Sequence, residues 1–233
     1  MKKIIIGIIV VGLVFLIYLT TIDRKIYYLA LGDSLAVGTN AYNEKSYGYT
    51  NQISDYFKSK NKLEVFVKDF AKEGYRTTDL INDINNNKEL IIDNKSKTIQ
   101  NALIKADVTT ISIGSNDLLY HLTMDSGKPY DKVDQVMNDI NNLFKLIRAY
   151  SKEEIYVIGY YNLAPNHEFK VKIEEVLLYA NQKLYNLCDE YNIKYVDIYD
   201  LFKYNDYLPN PTNIHPSNEG YNAIANKIIA LIR

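Results

Sequence analysis

From Ile26 onward the chain alternates short β-rich apolar runs with longer stretches whose apolar residues recur at helical spacing, and no other feature restricts its fold so tightly. The strand-like runs are Ile26–Leu31, Leu63–Phe70, Val108–Ile113, Ile155–Ile158 and Tyr195–Ile198. Between them, Tyr47–Phe57 has a helical period, Thr78–Ile84 reads as the start of a helix and Ile99–Ile104 as the end of one. Val133–Tyr150 sets Val136, Ile140, Leu143, Phe144 and Ile147 on one face, and Val171–Tyr191 and Tyr221–Ile232 are amphipathic in the same way. Strands that alternate with helices pair in parallel, because each crossover helix returns the chain to the same end of the sheet. The expectation is an α/β fold, a three-layer α/β/α sandwich with a five-stranded parallel sheet, occupying residues 26–233 as one domain. In such a sheet the functional residues lie beyond the carboxyl ends of the strands.

Residues 1–25 differ from this body. Ile4 to Thr21 carries no charge and is bracketed by Lys2-Lys3 and by Asp23-Arg24-Lys25. At 1.5 Å per residue a run of about 18 residues covers roughly 27 Å, enough to cross the hydrocarbon core as one N-terminal transmembrane helix. The flank after Leu19 lacks the small residues that signal peptidase requires, which favours an uncleaved membrane anchor over a signal segment removed on secretion. No Cys follows the run, so lipid attachment there is excluded. The charges flanking it place the body outside the cytoplasm at the cell membrane.

The basic residues of that first segment mean that the acidic excess giving the whole chain its net charge of -1 lies in the body. A mildly acidic body has no clustered cations with which to bind a nucleic acid. Cys188 stands alone, which excludes an intrachain disulfide and a Cys-based metal site, and in its helix it reads as a small buried hydrophobe. His121 and His167 fall in loop-like stretches, and Asp117 with His121 is one ligand short of a zinc set. The 22 Tyr residues against no Trp read mainly as half-buried sheet positions.

The chemistry sits at the strand ends. The first strand runs into Gly32-Asp33-Ser34-Leu35, which presents the Ser34 hydroxyl at the open edge of the sheet. A serine is a weak nucleophile until a base takes its proton, and His215, after the last strand and before the last helix, is brought to the same crevice. The strand Val108–Ile113 ends in Gly114-Ser115-Asn116-Asp117, where Asn116 offers an amide to a developing oxyanion. After the second strand, Gly74 permits close backbone approach and offers its N–H. Alone, Ser34 is a turn hydroxyl and Asn116 a helix cap. Together they supply nucleophile, base and oxyanion donors. Asp33 and Asp117 are expected to be structural hydrogen-bonders, since acyl transfer already has its base.

These blocks resemble the SGNH or GDSL hydrolases, whose Ser, Gly, Asn and His follow in this order, over most of residues 26–233. The resemblance implies a flavodoxin-like sandwich that hydrolyses carboxylic esters or thioesters without a cofactor or metal, in a family that includes lysophospholipases, thioesterases and carbohydrate acetylesterases. It makes Ser34 the nucleophile and His215 the general base, with Gly74, Asn116 and the Ser34 N–H as oxyanion hole. The implied substrate is a small-molecule or lipid ester, such as a lysophospholipid at the membrane, or else an O-acetylated envelope polysaccharide. The family usually has an Asp three residues before its His. Here Thr212 holds that place and Asn213 follows, so the expected orienter of the imidazole is one of these two or a backbone carbonyl; otherwise the enzyme works as a Ser-His dyad, or catalysis has weakened to leave an anchored binding module. Leu119–Tyr130 follows the Asn116 block and is expected to cover the site, with Leu122 or Met124 lining an acyl pocket.

Overall fold

The computed structural model describes residues 25–124, 127–162 and 170–232, the side chains of 122–124 and 170–171 excepted. In chain order its strands are β1 (Ile26–Gly32), β2 (Leu63–Val67), β3 (Glu89–Ile92), β4 (Lys95–Thr98), β5 (Val108–Ser112), β6 (Glu154–Ile158) and β7 (Lys194–Val196). Its helices are α1 (Ser34–Val37), α2 (Tyr49–Ser59), α3 (Thr77–Asn85), α4 (Ile99–Lys105), α5 (Ser115–Met124), α6 (Pro129–Tyr150), α7 (Lys170–Glu190), α8 (Tyr199–Lys203) and α9 (Asn218–Leu231). Five strands form the expected parallel sheet, in the order β2-β1-β5-β6-β7. The chain winds outward from β1 in both directions, so the crevice opens where β1 and β5 diverge into their loops.

Side-chain alternation along the sheet divides the core. Leu29 and Leu31 of β1 and Ile155 and Val157 of β6 pack with Leu80, Phe144, Ile147 and Leu184 on one face. Tyr28, Ala30, Tyr156 and Ile158 pack with Ile53, Phe57, Ile224 and Ile228 on the other. Cys188 is buried in the first of these layers, as expected, and burial pushes its thiol up to about 12.

The structure corrects three details. The stretch expected as one helix from Thr78 to Ile104 is two, α3 and α4, with the antiparallel hairpin β3–β4 between them. Asn87 ends α3 in the left-handed region, and Asp93 and Asn94 both have positive φ, which makes a two-residue hairpin turn whose twist matches that of the strands. Strand β2 ends at Val67, short of the expected Phe70, and residues 69–70 and 73–74 form turns beyond it. His121 lies within α5, where a loop was expected, and its ring meets that of Tyr120 edge-on. The expected membrane helix at residues 4–21, His167, and the side chains of Leu122 and Met124 lie outside the described residues. Among the described residues no helix is long and apolar enough to cross a membrane.

Candidate active site

Ser34 is the first residue of α1, directly beyond β1. Asp33 caps that helix: its Oδ1 accepts from the Leu35 N–H at 3.0 Å and from the Ser112 hydroxyl at 2.8 Å. The Asp33 N–H in turn donates to the Ser112 carbonyl at 2.9 Å, so the turn that carries Ser34 is bonded to the end of β5. Gly32 is indispensable to this geometry. Its φ is 125°, and a Cβ there would stand 1.9 Å from the Ser112 oxygen. Asp33 is only 3% exposed, and burial drives its carboxyl up to about 7.

His215 arrives from the segment between α8 and α9, and its Nε2 lies 2.8 Å from Ser34 Oγ. Its tautomer follows from a backbone group. The His215 N–H can only donate, so the Asn213 side-chain atom it meets at 2.9 Å is the oxygen Oδ1. The same oxygen lies 2.8 Å from His215 Nδ1, which therefore carries a proton. That leaves the Nε2 lone pair facing the Ser34 hydroxyl, the arrangement a general base requires. Partial burial holds the imidazole below its ordinary pKa, opposed by the negative charge of Glu73. Thr212, the other candidate orienter, donates its N–H and its hydroxyl to Asn210 Oδ1 at 3.1 Å and 2.8 Å. The side chain that meets the ring is that of Asn213, two residues before the histidine.

The turn containing Gly74 is tied at both ends. The Lys72 N–H donates to the Gly32 carbonyl at 3.0 Å, and the Tyr75 carbonyl accepts from Asn116 Nδ2 at 2.9 Å. Gly74 itself has φ 72°, with open space where a Cβ would stand. Asn116 lies in the first turn of α5 and spends one amide hydrogen on Tyr75, leaving the second for a ligand. Asp117 is buried and accepts from the Thr77 N–H and hydroxyl at 2.9 Å and 3.0 Å, joining α5 to α3. It and Asp33 thus make the structural hydrogen bonds expected of them.

Two contributors were not foreseen. Glu73 accepts from the Thr39 hydroxyl at 3.0 Å, which holds its carboxylate beside the crevice, and its position next to Gly74 was the one available signal. Tyr161 is buried, stacks on Phe202 with ring centroids 4.0 Å apart, and donates to the Ile214 carbonyl at 2.7 Å, fixing the backbone beside the histidine. Nothing in the sequence around Tyr161 marks it.

Known proteins resemble this chain in sequence and in fold. The model of the GDSL-like Lipase/Acylhydrolase family matches residues 30–223. Uncharacterized protein YpmR of Bacillus subtilis (strain 168) is 26% identical over 234 residues, covering 92% of this chain and 84% of its own. Among solved structures, the lipase Lip_vut3 from a goat rumen metagenome is 25% identical, with a TM-score of 0.70 over 87% of this chain and 95% of its own. A catalytic mutant of Axe2, an acetylxylan esterase from Geobacillus stearothermophilus, shares the fold at a TM-score of 0.66 and 15% identity, covering 90% of this chain and 94% of its own.

Proposed function

This chain belongs to the GDSL-like lipase/acylhydrolase family and is a carboxylic ester hydrolase, and we propose that it acts through an acyl-enzyme formed on Ser34. The observation that carries the reading is the continuous line from Ser34 Oγ through His215 to Asn213 Oδ1, with 2.8 Å at each step. Ser34 Oγ attacks the ester carbonyl carbon while its proton passes to His215 Nε2, and the carbonyl electron pair moves onto the oxygen. That oxyanion is received by the N–H groups of Ser34 and Gly74 and the second amide hydrogen of Asn116. The intermediate collapses, the alkoxide leaves with the proton from His215, and the acyl group stays on Ser34. A water then attacks the acyl carbon as its proton passes to His215, and when this second intermediate collapses the Ser34 Oγ leaves with that proton and the acid is released.

For the substrate we favour a lipid ester such as a lysophospholipid. The likeness to a lipase at 25% identity supports this, as does the uncharged run at residues 4–21, which would tether the domain to the outer face of the cell membrane and raise the local concentration of lipid. The test is hydrolysis of p-nitrophenyl esters from acetyl to palmitoyl by the full-length chain in detergent, with Ser34→Ala as the blank. Ser34-dependent turnover that favours longer chains supports the proposal. A preference for acetate shifts the substrate to an O-acetylated polysaccharide. No turnover, together with no Ser34 labelling by an alkyl phosphonate, would reduce the domain to an ester-binding module.

A further inference from the structure

We propose that Asn43 is a positioning residue for hydrolysis: it holds Asn213, and through it the His215 ring, so that two uncharged amides stand where the family usually has one carboxylate. The inference rests on the Ser34–His215 reading above. Because Asn213 Oδ1 accepts both His215 hydrogens, its Nδ2 faces the opposite way and can only donate. It does so to Asn43 Oδ1 at 2.7 Å. An amide is nearly symmetric in shape, so Asn213 could turn over at little steric cost. Turned over, it would set an NH2 against the His215 N–H and against Nδ1, and the ring would answer by moving its proton to Nε2. A histidine with its proton on Nε2 cannot accept one from Ser34. The His215 N–H selects the productive orientation of Asn213, and the bond to Asn43 holds the amide in it at the far end.

The backbone of the segment carrying Asn43 is held in place by its own hydrogen bonds. Asn43 has φ 61°, a conformation that asparagine tolerates better than most residues. Asn40 Oδ1 accepts from the N–H groups of Tyr42 and Glu44 at 2.9 Å and 3.0 Å, and the Asn43 N–H donates to the Asn40 carbonyl at 3.0 Å. A second latch joins the same two segments, Asn210 Nδ2 donating to the Ala41 carbonyl at 2.9 Å. The segment begins at Gly38, the residue that ends α1. The chain therefore leaves Ser34, turns at Gly38 and comes back to steady the residue that steadies the base.

The experiment compares Asn43→Gly and Asn43→Asp in the full-length enzyme. Glycine accepts the left-handed backbone and removes only the side chain, while aspartate keeps both the backbone and the acceptor oxygen. Asn43→Gly is expected to lower kcat about tenfold with KM within about twofold and a melting temperature near that of the parent, and Asn43→Asp to recover most of that loss. Nitrogen-15 NMR of labelled histidine reads the tautomer without reference to turnover: the parent should show the proton on Nδ1 of His215, and Asn43→Gly should show a shift toward Nε2. The double variant Asn43→Asp with Asn213→Asp sets two carboxylates face to face and should fall at least about tenfold below the product of the single effects. An unchanged kcat and tautomer in Asn43→Gly would overturn the inference, as would simple multiplicativity in the double variant. If instead Ser34→Ala were as active as the parent, the serine mechanism would fail, while the tautomer measurement would still judge Asn43.

Discussion

Ser34 lies where β1 becomes α1, and the polar groups around it are bonded to the sheet: Asp33 to Ser112 through both backbone and side chain, and Gly32 to the turn after β2. His215 comes from the irregular stretch between α8 and α9, which is held by hydrogen bonds to other loops: Asn213 to the Asn43 side chain, Asn210 to the Ala41 carbonyl, and the Ile214 carbonyl to Tyr161. Ser34 is thus positioned by the same interactions that hold the core together, whereas His215 is positioned by a few amide and hydroxyl contacts between loops. Damage on the first side should cost folding. Damage on the second should cost turnover and leave the fold standing.

The largest effect expected on the nucleophile side is that of Gly32→Ala. A Cβ at 1.9 Å from a backbone oxygen, at φ 125°, must push β1 and β5 apart, so stability should drop by about 3 kcal/mol or more in chemical denaturation. On the base side, Asn213→Ala leaves the His215 Nδ1–H and N–H without their acceptor. Turnover should fall on the order of 10²-fold, with a melting temperature within a few degrees of the parent. A loss of folding in Asn213→Ala, or a soluble and stable Gly32→Ala, would erase the distinction between the two sides.

Finer tests sharpen it. Asn213→Asp should raise turnover several-fold, because a carboxylate stabilises the imidazolium and Asn43 can turn its amide to donate, whereas Thr212→Asp faces Asn210 and should bring no gain. On the nucleophile side, the folded pKa of Asp33 is about 7, above its ordinary value of 3.8, so the folded state holds this proton more tightly than the unfolded one. Asp33 therefore costs stability as pH rises from about 4 through 7. Asp33→Asn keeps an oxygen acceptor without the charge, so its melting temperature should gain on that of the parent across this window and change little relative to it below pH 4. The smallest effect is that of Glu73→Gln. Removing the negative charge that raises the His215 pKa should move the acid limb of kcat/KM to lower pH by a fraction of a unit, with folding unaltered.

The same contrast decides what the sequence made legible. The parallel sheet and the places of Ser34 and Asn116 follow from local patterns, because each of these residues sits just past the end of an apolar run, whereas the order of the strands and the approach of His215 to Ser34 are set by tertiary packing. The division of β1 between two packing layers follows from alternation. Asn213 could be named as a candidate because it lies close to His215 in the chain. Asn43 could not, since its contact with Asn213 spans 170 residues and joins two polar loops in which nothing is periodic. The hairpin β3–β4 stayed hidden for a different reason. Its strands are four residues each, and they lie between two stretches whose spacing is helical, so the helical pattern on either side carried the reading across them.

Neither amide in the line behind His215 titrates or attracts counter-ions. A carboxylate at that place would weaken its hold as acid protonated it and as salt screened it. With Asn213 and Asn43 there instead, the orientation of the ring is independent of ionic strength, and acid acts on the imidazole through its own protonation. Such an enzyme should keep its turnover in concentrated salt, and its decline toward low pH should follow a single proton.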